Sequence, residues 1–393
     1  MPDPAAAETA TLAPQARRRA LTAILASLAA AGLTFGMSFP LFSVLLERAG
    51  ETTSLIGLNA AMPILGTIVT APFIPLLIRR LGVQTAMFAS LALIVVCFLL
   101  FPILPSLAAW FVLRFLVGVG MAIHWIVSET WLNAAAMSKH RGLYAGLYAT
   151  LMSIGFAAGP ALLTVIDLDT ALPFVLIAGS VVLIGMPLFW ARNSMPPLEP
   201  SRSQSHLWPL AAEPTIFLAS LVAGVVDSAL LSLLAIYGIR TGFGEAESLI
   251  LLTVLGAGTV TLQLPLGWLA DRAGRRRLLM LSGAAGAAGA IALPFALDFP
   301  WILWTILFLW GGFVVGLYTI ALAELGERFQ GPALAGANGL FVMSYSAGSL
   351  AGPPASGAAM DIFGPDGLPF GLAAVCLLFL LVATARTMLT RWT

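Results

Sequence analysis

Twelve apolar runs of about 20 residues, separated by short polar connections, limit what this chain can fold into more than any other feature it carries. A run of that length crosses ~30 Å of hydrocarbon as a helix. Backbone amides and carbonyls find no water in lipid, so each run must satisfy them internally, which a helix does. The runs fall near residues 20–46, 53–78, 83–105, 107–134, 142–166, 171–191, 212–238, 248–270, 277–297, 300–325, 334–358 and 367–387. They predict an all-α membrane protein embedded in a lipid bilayer. With 60% of its residues hydrophobic and 9% charged, the chain holds more apolar surface than a soluble domain can bury.

The longest connection, residues 192–211, is rich in Pro and Ser and divides the runs into two sets of six. The expected organisation is therefore a polar tail (1–19), a first six-helix bundle (20–191), a linker (192–211), a second bundle (212–387) and a short tail (388–393). The two sixes resemble each other at a spacing of about 193 residues. Arg48-Ala49-Gly50 recurs as Arg240-Thr241-Gly242, Ser54-Leu55-Ile56 as Ser248-Leu249-Ile250, and Arg80-Leu81-Gly82 as Arg272-Ala273-Gly274. GFAAGP at 155–160 returns as GSLAGP at 348–353. Such internal repetition marks transporters in which two bundles rock about a central site.

Orientation follows from the basic residues. Of the 19 Lys and Arg, all but Arg48, Arg114 and Arg240 fall in the tails or in connections on one face, among them Arg79, Arg80, Lys139, Arg141, Arg192, Arg202, Arg328, Arg386 and Arg391. The positive-inside rule places that face, with both termini, in the cytoplasm. The net charge of +1 hides no basic block suited to nucleic acid. Arg17-Arg18-Arg19 precedes the first apolar run with no evident cleavage site, which reads as a retained anchor. Cys97 and Cys376 lie inside apolar runs and read as inert buried thiols.

The fourth run carries the densest chemistry. At about 100° per residue, Arg114, Gly118, Met121, Trp125 and Glu129 share one helical stripe. A charge at membrane depth costs at least ~2.5 kcal/mol on insertion scales and normally faces a bundle interior or a water-filled cavity. Arg114 lies about seven residues in from the outer end, close enough to snorkel. The stripe favours instead a cation facing a cavity, where it binds an anionic substrate group or governs the ionisation of a carboxylate. His124, between Ile123 and Trp125, reads first as a satisfied interior side chain and second as a ligand or proton carrier.

Three acidic residues, Glu129, Asp227 and Glu324, fall well inside predicted helices. Asp227 is nearest the bilayer midplane, and a carboxylate there is the first candidate for carrying a coupling proton, against a purely structural hydrogen bond. Glu129 and Glu324 lie near the cytoplasmic ends of helices 4 and 10. Arginines are in reach, Arg141 or Arg79 for Glu129 and Arg328 for Glu324, so gate-closing salt bridges are the expected role and proton transfer the secondary one. Trp125, Tyr144, Tyr148, Tyr318 and Tyr345 suit stacking or hydrogen bonding to an organic solute, as they also suit packing. Asn59 and Gln263 are single polar residues able to bond either ligand or backbone. No Walker lysine loop, HExxH or CxxC occurs, so neither an ATP motor nor an enzyme, cofactor or metal site is expected.

The segment GWLADRAGRRRLL resembles the conserved loop of the major facilitator superfamily, matching at Gly267, Asp271, Arg272, Gly274, Arg275 and Arg276. Arg114-x-x-x-Gly118-x-Gly120 is similar to that family's fourth-helix motif, and Gly155-x-x-x-Gly159-Pro160 to its fifth-helix motif associated with proton-linked antiport. SETWLN (128–133), RGLYAGLY (141–148) and AGPPASGAAMD (351–361) look like the bacterial YcaD-like group. The resemblance spans all twelve helices and implies two pseudo-symmetric six-helix bundles. In the GWLADRAGRRRLL loop Asp271 can accept from Arg275 near a helix end, so Asp271, Arg272, Gly274 and Arg275, with Arg79 and Arg80 in the matching first-half loop, read as a conformational latch, against plain positive-inside anchoring by Arg272 and Arg275–Arg277. In the first-half loop Arg79 stands where the pattern has an acid, so the acidic latch is expected in the second half alone.

Together these readings describe a monomeric secondary transporter of the bacterial inner membrane. It would bind a small organic solute against Arg114 and the aromatics, with protonation of Asp227 coupled to transport and efflux slightly favoured over uptake. An uncoupled facilitator and a non-transporting sensor on the same frame are the rival readings.

Overall fold

The computed structural model describes residues 14–135, 141–194 and 208–389. Among the expected features, Lys139, Arg202, Arg391 and most of the linker lie outside the described residues, and Arg141 is described in its backbone alone.

Among the described residues twelve long helices form, one for each apolar run. In the first half they are α1 (Pro14–Arg48), α2 (Thr53–Leu81), α3 (Val83–Leu100), α4 (Leu107–Ala135), α5 (Arg141–Leu163) and α6 (Leu172–Trp190). The second half contains α7 (Pro214–Arg240), α8 (Glu245–Ala273), α9 (Arg275–Ala296), α10 (Pro300–Arg328), α11 (Gly331–Phe363) and α12 (Gly367–Leu389). A short helix, Trp208–Ala212, leads into α7. Near its end α2 tightens into a 3-10 turn at Ala71–Phe73, where Pro72 and Pro75 remove backbone donors. Ten of the twelve are long and apolar enough to cross a membrane by length and composition. Of the other two, α11 is diluted by Gly, Ala, Ser and Pro, and α5 is apolar over its described stretch Leu147–Leu163; the small residues of both are what lets them pack closely.

The sequence repeat reappears as repeated packing. Gly155 and Gly159 of α5 lie against the backbone of α1 at Leu33 and Gly36, leaving no room for a side chain. At the matching places Gly348 and Gly352 of α11 lie against α7 at Leu221 and Val225. Between α2 and α4, the Thr67 hydroxyl donates to the Gly118 carbonyl at 3.2 Å. Between α8 and α10, Thr259 donates to Gly311 at 3.0 Å. Contacts of this kind replace the hydrophobic drive that is missing between helices in lipid. The repeated loops share a cause as well: Gly82 and Gly274 turn the chain at φ of +79° and +92°, a conformation that favours glycine.

The halves meet along α2 with α11 and α5 with α8. Gly57 of α2 abuts the backbone of Pro353, Gly357 of α11 abuts Thr53, and Gly256 of α8 abuts Ala157 of α5. On α2 and α11 these contacts lie toward the face that carries Arg48 and Arg240.

Candidate functional site

The rim on the Arg48 face is a set of polar bonds from one half to the other. Arg48 at the end of α1 bonds Glu245 at the start of α8 through two nitrogens, and reaches Asp169 of its own half at 2.7 Å. Its repeat counterpart Arg240, at the end of α7, grips Glu47 of α1 with two bonds of 2.8 and 2.9 Å. The two arginines recognised as a sequence repeat thus exchange partners across the pseudo-dyad. Beside them, Asp361 in the exposed last turn of α11 accepts from the backbone amides of Thr53 and Ser54 at 3.0 and 2.8 Å and from both hydroxyls. A carboxylate from one half therefore caps the N-terminus of α2 in the other, where unsatisfied amides and the helix dipole favour negative charge. Burial alone would raise the Asp361 carboxyl, but the Ser54 and Thr53 donors outweigh it and hold it below its ordinary value.

The ion pairs described on the opposite face stay within the second half. Arg275 bonds Asp271 at 3.0 Å, Glu327 at 3.1 Å and the Ala323 carbonyl at 2.7 Å, fastening the α8–α9 loop to the end of α10. Arg272 stacks over Trp268 at 3.9 Å, and Arg328 pairs with Glu213 at 3.6 Å. Arg79 and Arg80 are exposed and form no ion pair among the described residues. Glu324 is buried, with Arg276 and Arg328 in electrostatic reach; among the described side chains no arginine pairs with Glu129, and Arg141 lies outside them.

Between rim and opposite face, side chains from both halves converge. From the first half come Glu129 and Trp125 on α4 and Tyr148 on α5, whose hydroxyl donates to Glu129 at 3.3 Å. From the second come Asp227 on α7, Tyr345 on α11, which donates to Asp227 at 3.2 Å, and Tyr318 on α10. Tyr318 packs edge-on to Tyr345, with ring centres 5.0 Å apart, and is within electrostatic reach of both Glu129 and Asp227. All six side chains are only half-buried. Phe35 and Phe156 extend the first-half wall, stacked 5.9 Å apart, with Trp125 edge-on to Phe35 at 6.0 Å.

The α4 stripe is divided by its neighbours. Trp125 and Glu129 face the shared space, whereas Gly118 packs on the Pro63 backbone and Met121 is buried. Arg114 is enclosed: its guanidinium lies between the rings of Phe39 and Phe42, 4.7 and 4.8 Å from their centres, and none of its nitrogens finds an acceptor among the described residues. His124 is buried with Ser128 3.5 Å from Nδ1, Asn59 is buried with neither amide atom bonded, and Gln263 and Tyr144 are half-buried. Sequence reasoning did not single out Glu47, Glu245, Asp361, Phe35 or Phe39. Only the rim was signalled, through the Arg48/Arg240 repeat.

The Major Facilitator Superfamily model matches residues 24–323 and, overlapping, 216–391. The chain is 26% identical to YfkF, an uncharacterized MFS-type transporter of Bacillus subtilis (strain 168), over 84% of this chain and 86% of that one. It is 27% identical to the uncharacterized MFS-type transporter YcaD of Salmonella newport (strain SL254), over 86% and 88%. Among solved structures, the nucleoside transporter NupG (D323A mutant) superposes with a TM-score of 0.72 at 12% identity, covering 94% of this chain and 98% of that one. A bacterial homolog of the human lysosomal transporter Spinster, in an inward-facing and occupied conformation, superposes with 0.72 at 15% identity, covering 97% and 98%.

Proposed function

From the premise that this chain belongs to the Major Facilitator Superfamily, and so is a membrane transporter rather than an enzyme, we propose that it moves a small organic solute by proton-coupled alternating access. The solute site is the space bounded by Trp125, Glu129, Tyr148, Asp227, Tyr318 and Tyr345. Asp227 carries the coupling proton, with Glu129 as second candidate, and the protein works as a monomer in the bacterial cytoplasmic membrane with both termini inside. Under that orientation the Arg48 rim is the outer gate, shut here, and the conformation is inward-facing. Efflux is the favoured direction, on the likeness of Gly155–Pro160 to the antiport motif.

The observation that carries this reading is a pair of half-buried carboxylates, one from each half, around a common space, with Asp227 at mid-helix depth and Glu129 nearer the cytoplasmic end of α4. An ionised carboxylate there is costly to hold unless water reaches it, and an alternating cavity supplies water from one side at a time. Asp271, Arg272, Gly274 and Arg275 then serve as the latch that biases the cytoplasmic side, by fixing the loop to α10.

The test uses proteoliposomes under an imposed pH gradient and a panel of organic solutes. Wild-type protein should accumulate at least one solute against its concentration, and Asp227→Asn should lose that accumulation while still exchanging labelled for unlabelled solute. Gradient-driven accumulation undiminished in Asp227→Asn removes Asp227 from the coupling. Equal rates with and without the gradient favour an uncoupled facilitator.

A further inference from the structure

The charge inventory of the central space is one-sided. Glu129 and Asp227 both open onto it, and among the described side chains no cation does. Arg114 is withdrawn behind Phe39 and Phe42, with no carboxylate beside it. Arg276 and Arg328 face Glu324. Glu129 accepts from the Tyr148 hydroxyl at 3.3 Å and from the Trp125 side chain, and Asp227 from the Tyr345 hydroxyl at 3.2 Å, donors that orient each carboxylate without filling its acceptor positions. Around the pair stand ring faces and edges from both halves: Phe35, Trp125 and Phe156 on one side, Tyr318 and Tyr345 on the other.

We infer that the transported solute is an organic cation, held between Glu129 and Asp227 with its apolar body against the aromatic walls. This deepens the reading that the central space is the solute site and depends on it. Two carboxylates repel an anion and offer a neutral solute hydrogen-bond acceptance alone, with no net charge to balance theirs. A cation gains from both charges, and aromatic faces attract positive charge through the ring quadrupole. The inference also supplies the coupling. A carboxylate that has taken up a proton no longer holds the cation, so proton and solute compete for the same two groups, which is the requirement for exchanging one against the other. The groups facing this pair are Tyr345 and Tyr318 at Asp227, and Trp125, Tyr148 and Tyr318 at Glu129. None of these facing groups carries a charge at neutral pH, so cation binding should weaken as pH falls.

The experiment is equilibrium binding of tetraphenylphosphonium and tetraphenylborate, near-identical in shape and opposite in charge, to the full chain in nanodiscs, with empty-disc partitioning subtracted. Saturable tetraphenylphosphonium binding is expected, at least tenfold weaker at pH 5.5 than at pH 8 and at least tenfold weaker in Glu129→Gln and in Asp227→Asn. Asp227→Glu should recover most of the loss, which separates loss of charge from loss of fold, and Asp298→Asn in the exposed α9–α10 connection should change nothing. Equal binding of the two ions, or tetraphenylphosphonium binding that survives Glu129→Gln combined with Asp227→Asn, overturns the inference. Since binding is read without a gradient, a protein that binds the cation and moves nothing refutes the transport reading alone. One that moves other solutes along a proton gradient but ignores the cation refutes only this one.

Discussion

Replacing Asp361 by Asn tests whether the Arg48 rim is a gate or a permanent seam. The carboxylate receives two backbone amides and two hydroxyls from the first turn of α2, which is an N-cap supplied by the opposite half. Asn keeps one acceptor oxygen and loses the charge, so roughly half of those bonds fail. Losing a good N-cap costs about 0.5–2 kcal/mol, and hydrogen bonds to charged groups contribute about 1.5–3 kcal/mol each, net of their exchange with water. Because Asp361 is exposed, about 2 kcal/mol is the appropriate sum, a roughly 30-fold shift from closed toward open rim. Spin labels at Thr170→Cys and Ala246→Cys, exposed positions on the two sides of the rim, report its width. The distance distribution should gain a longer component in Asp361→Asn that is absent in Asp298→Asn. The pH dependence has a definite sign. Asp361 is held below its ordinary value in the closed rim, so its contribution is complete above that value and disappears only as pH falls through the depressed one. Between pH 8 and 5 the distribution should therefore stay fixed in wild type. An unchanged distribution in Asp361→Asn, or opening of the wild-type rim within that pH range, would refute the capping argument.

Three further outcomes follow from the packing and the charges. Breaking the Arg240–Glu47 pair with Arg240→Ala should widen the rim by no more than ~1 kcal/mol, less at high salt, and the charge swap Glu47→Arg with Arg240→Glu should restore it in the same spin-label measurement. Gly118→Ala and Gly352→Ala drive a methyl into the backbones of Pro63 and Val225 and should lower the melting temperature by an amount equivalent to about 1–3 kcal/mol. Gly339→Ala, inside α11 with nothing within 4 Å, should leave it unchanged or raise it slightly, since Ala costs less backbone entropy in a helix. Arg114→Leu removes a buried charge that has no acceptor, at the position matching the buried Leu307 of the second half, and should raise the melting temperature of the purified protein. A fall would show that the guanidinium contributes more through the Phe39 and Phe42 rings than its burial costs.

The helices were legible in the sequence because lipid imposes the same demand on every one of them. A run of apolar residues long enough to cross has a single secondary structure open to it, and its length fixes its limits to within a few residues. The repeat was legible for a similar reason: Gly155, Gly159, Gly348 and Gly352 sit where helices touch backbone to backbone, a place that accepts no other side chain. Which charged residues meet was much less visible. Helical phase puts Arg114 and Glu129 on one stripe, yet α1 covers the Arg114 end with Phe39 and Phe42 and leaves the Glu129 end open, and nothing in α4 itself specifies that. Glu129 and Glu324 look alike by position along their helices, and they part company because Arg276 and Arg328 belong to the second half only. The offset of 193 residues carried more than the motifs did. It places Trp125 opposite Tyr318, both facing the central space, and opposite Asp227 it places Thr34, which is buried and bonded to Ser180 at 2.7 Å. The scaffold is thus nearly symmetric while the chemistry within it is not. That is the condition a coupled transporter needs: a symmetric frame gives two gates of comparable strength, and an asymmetric pair of carboxylates gives the solute and the proton something to contest.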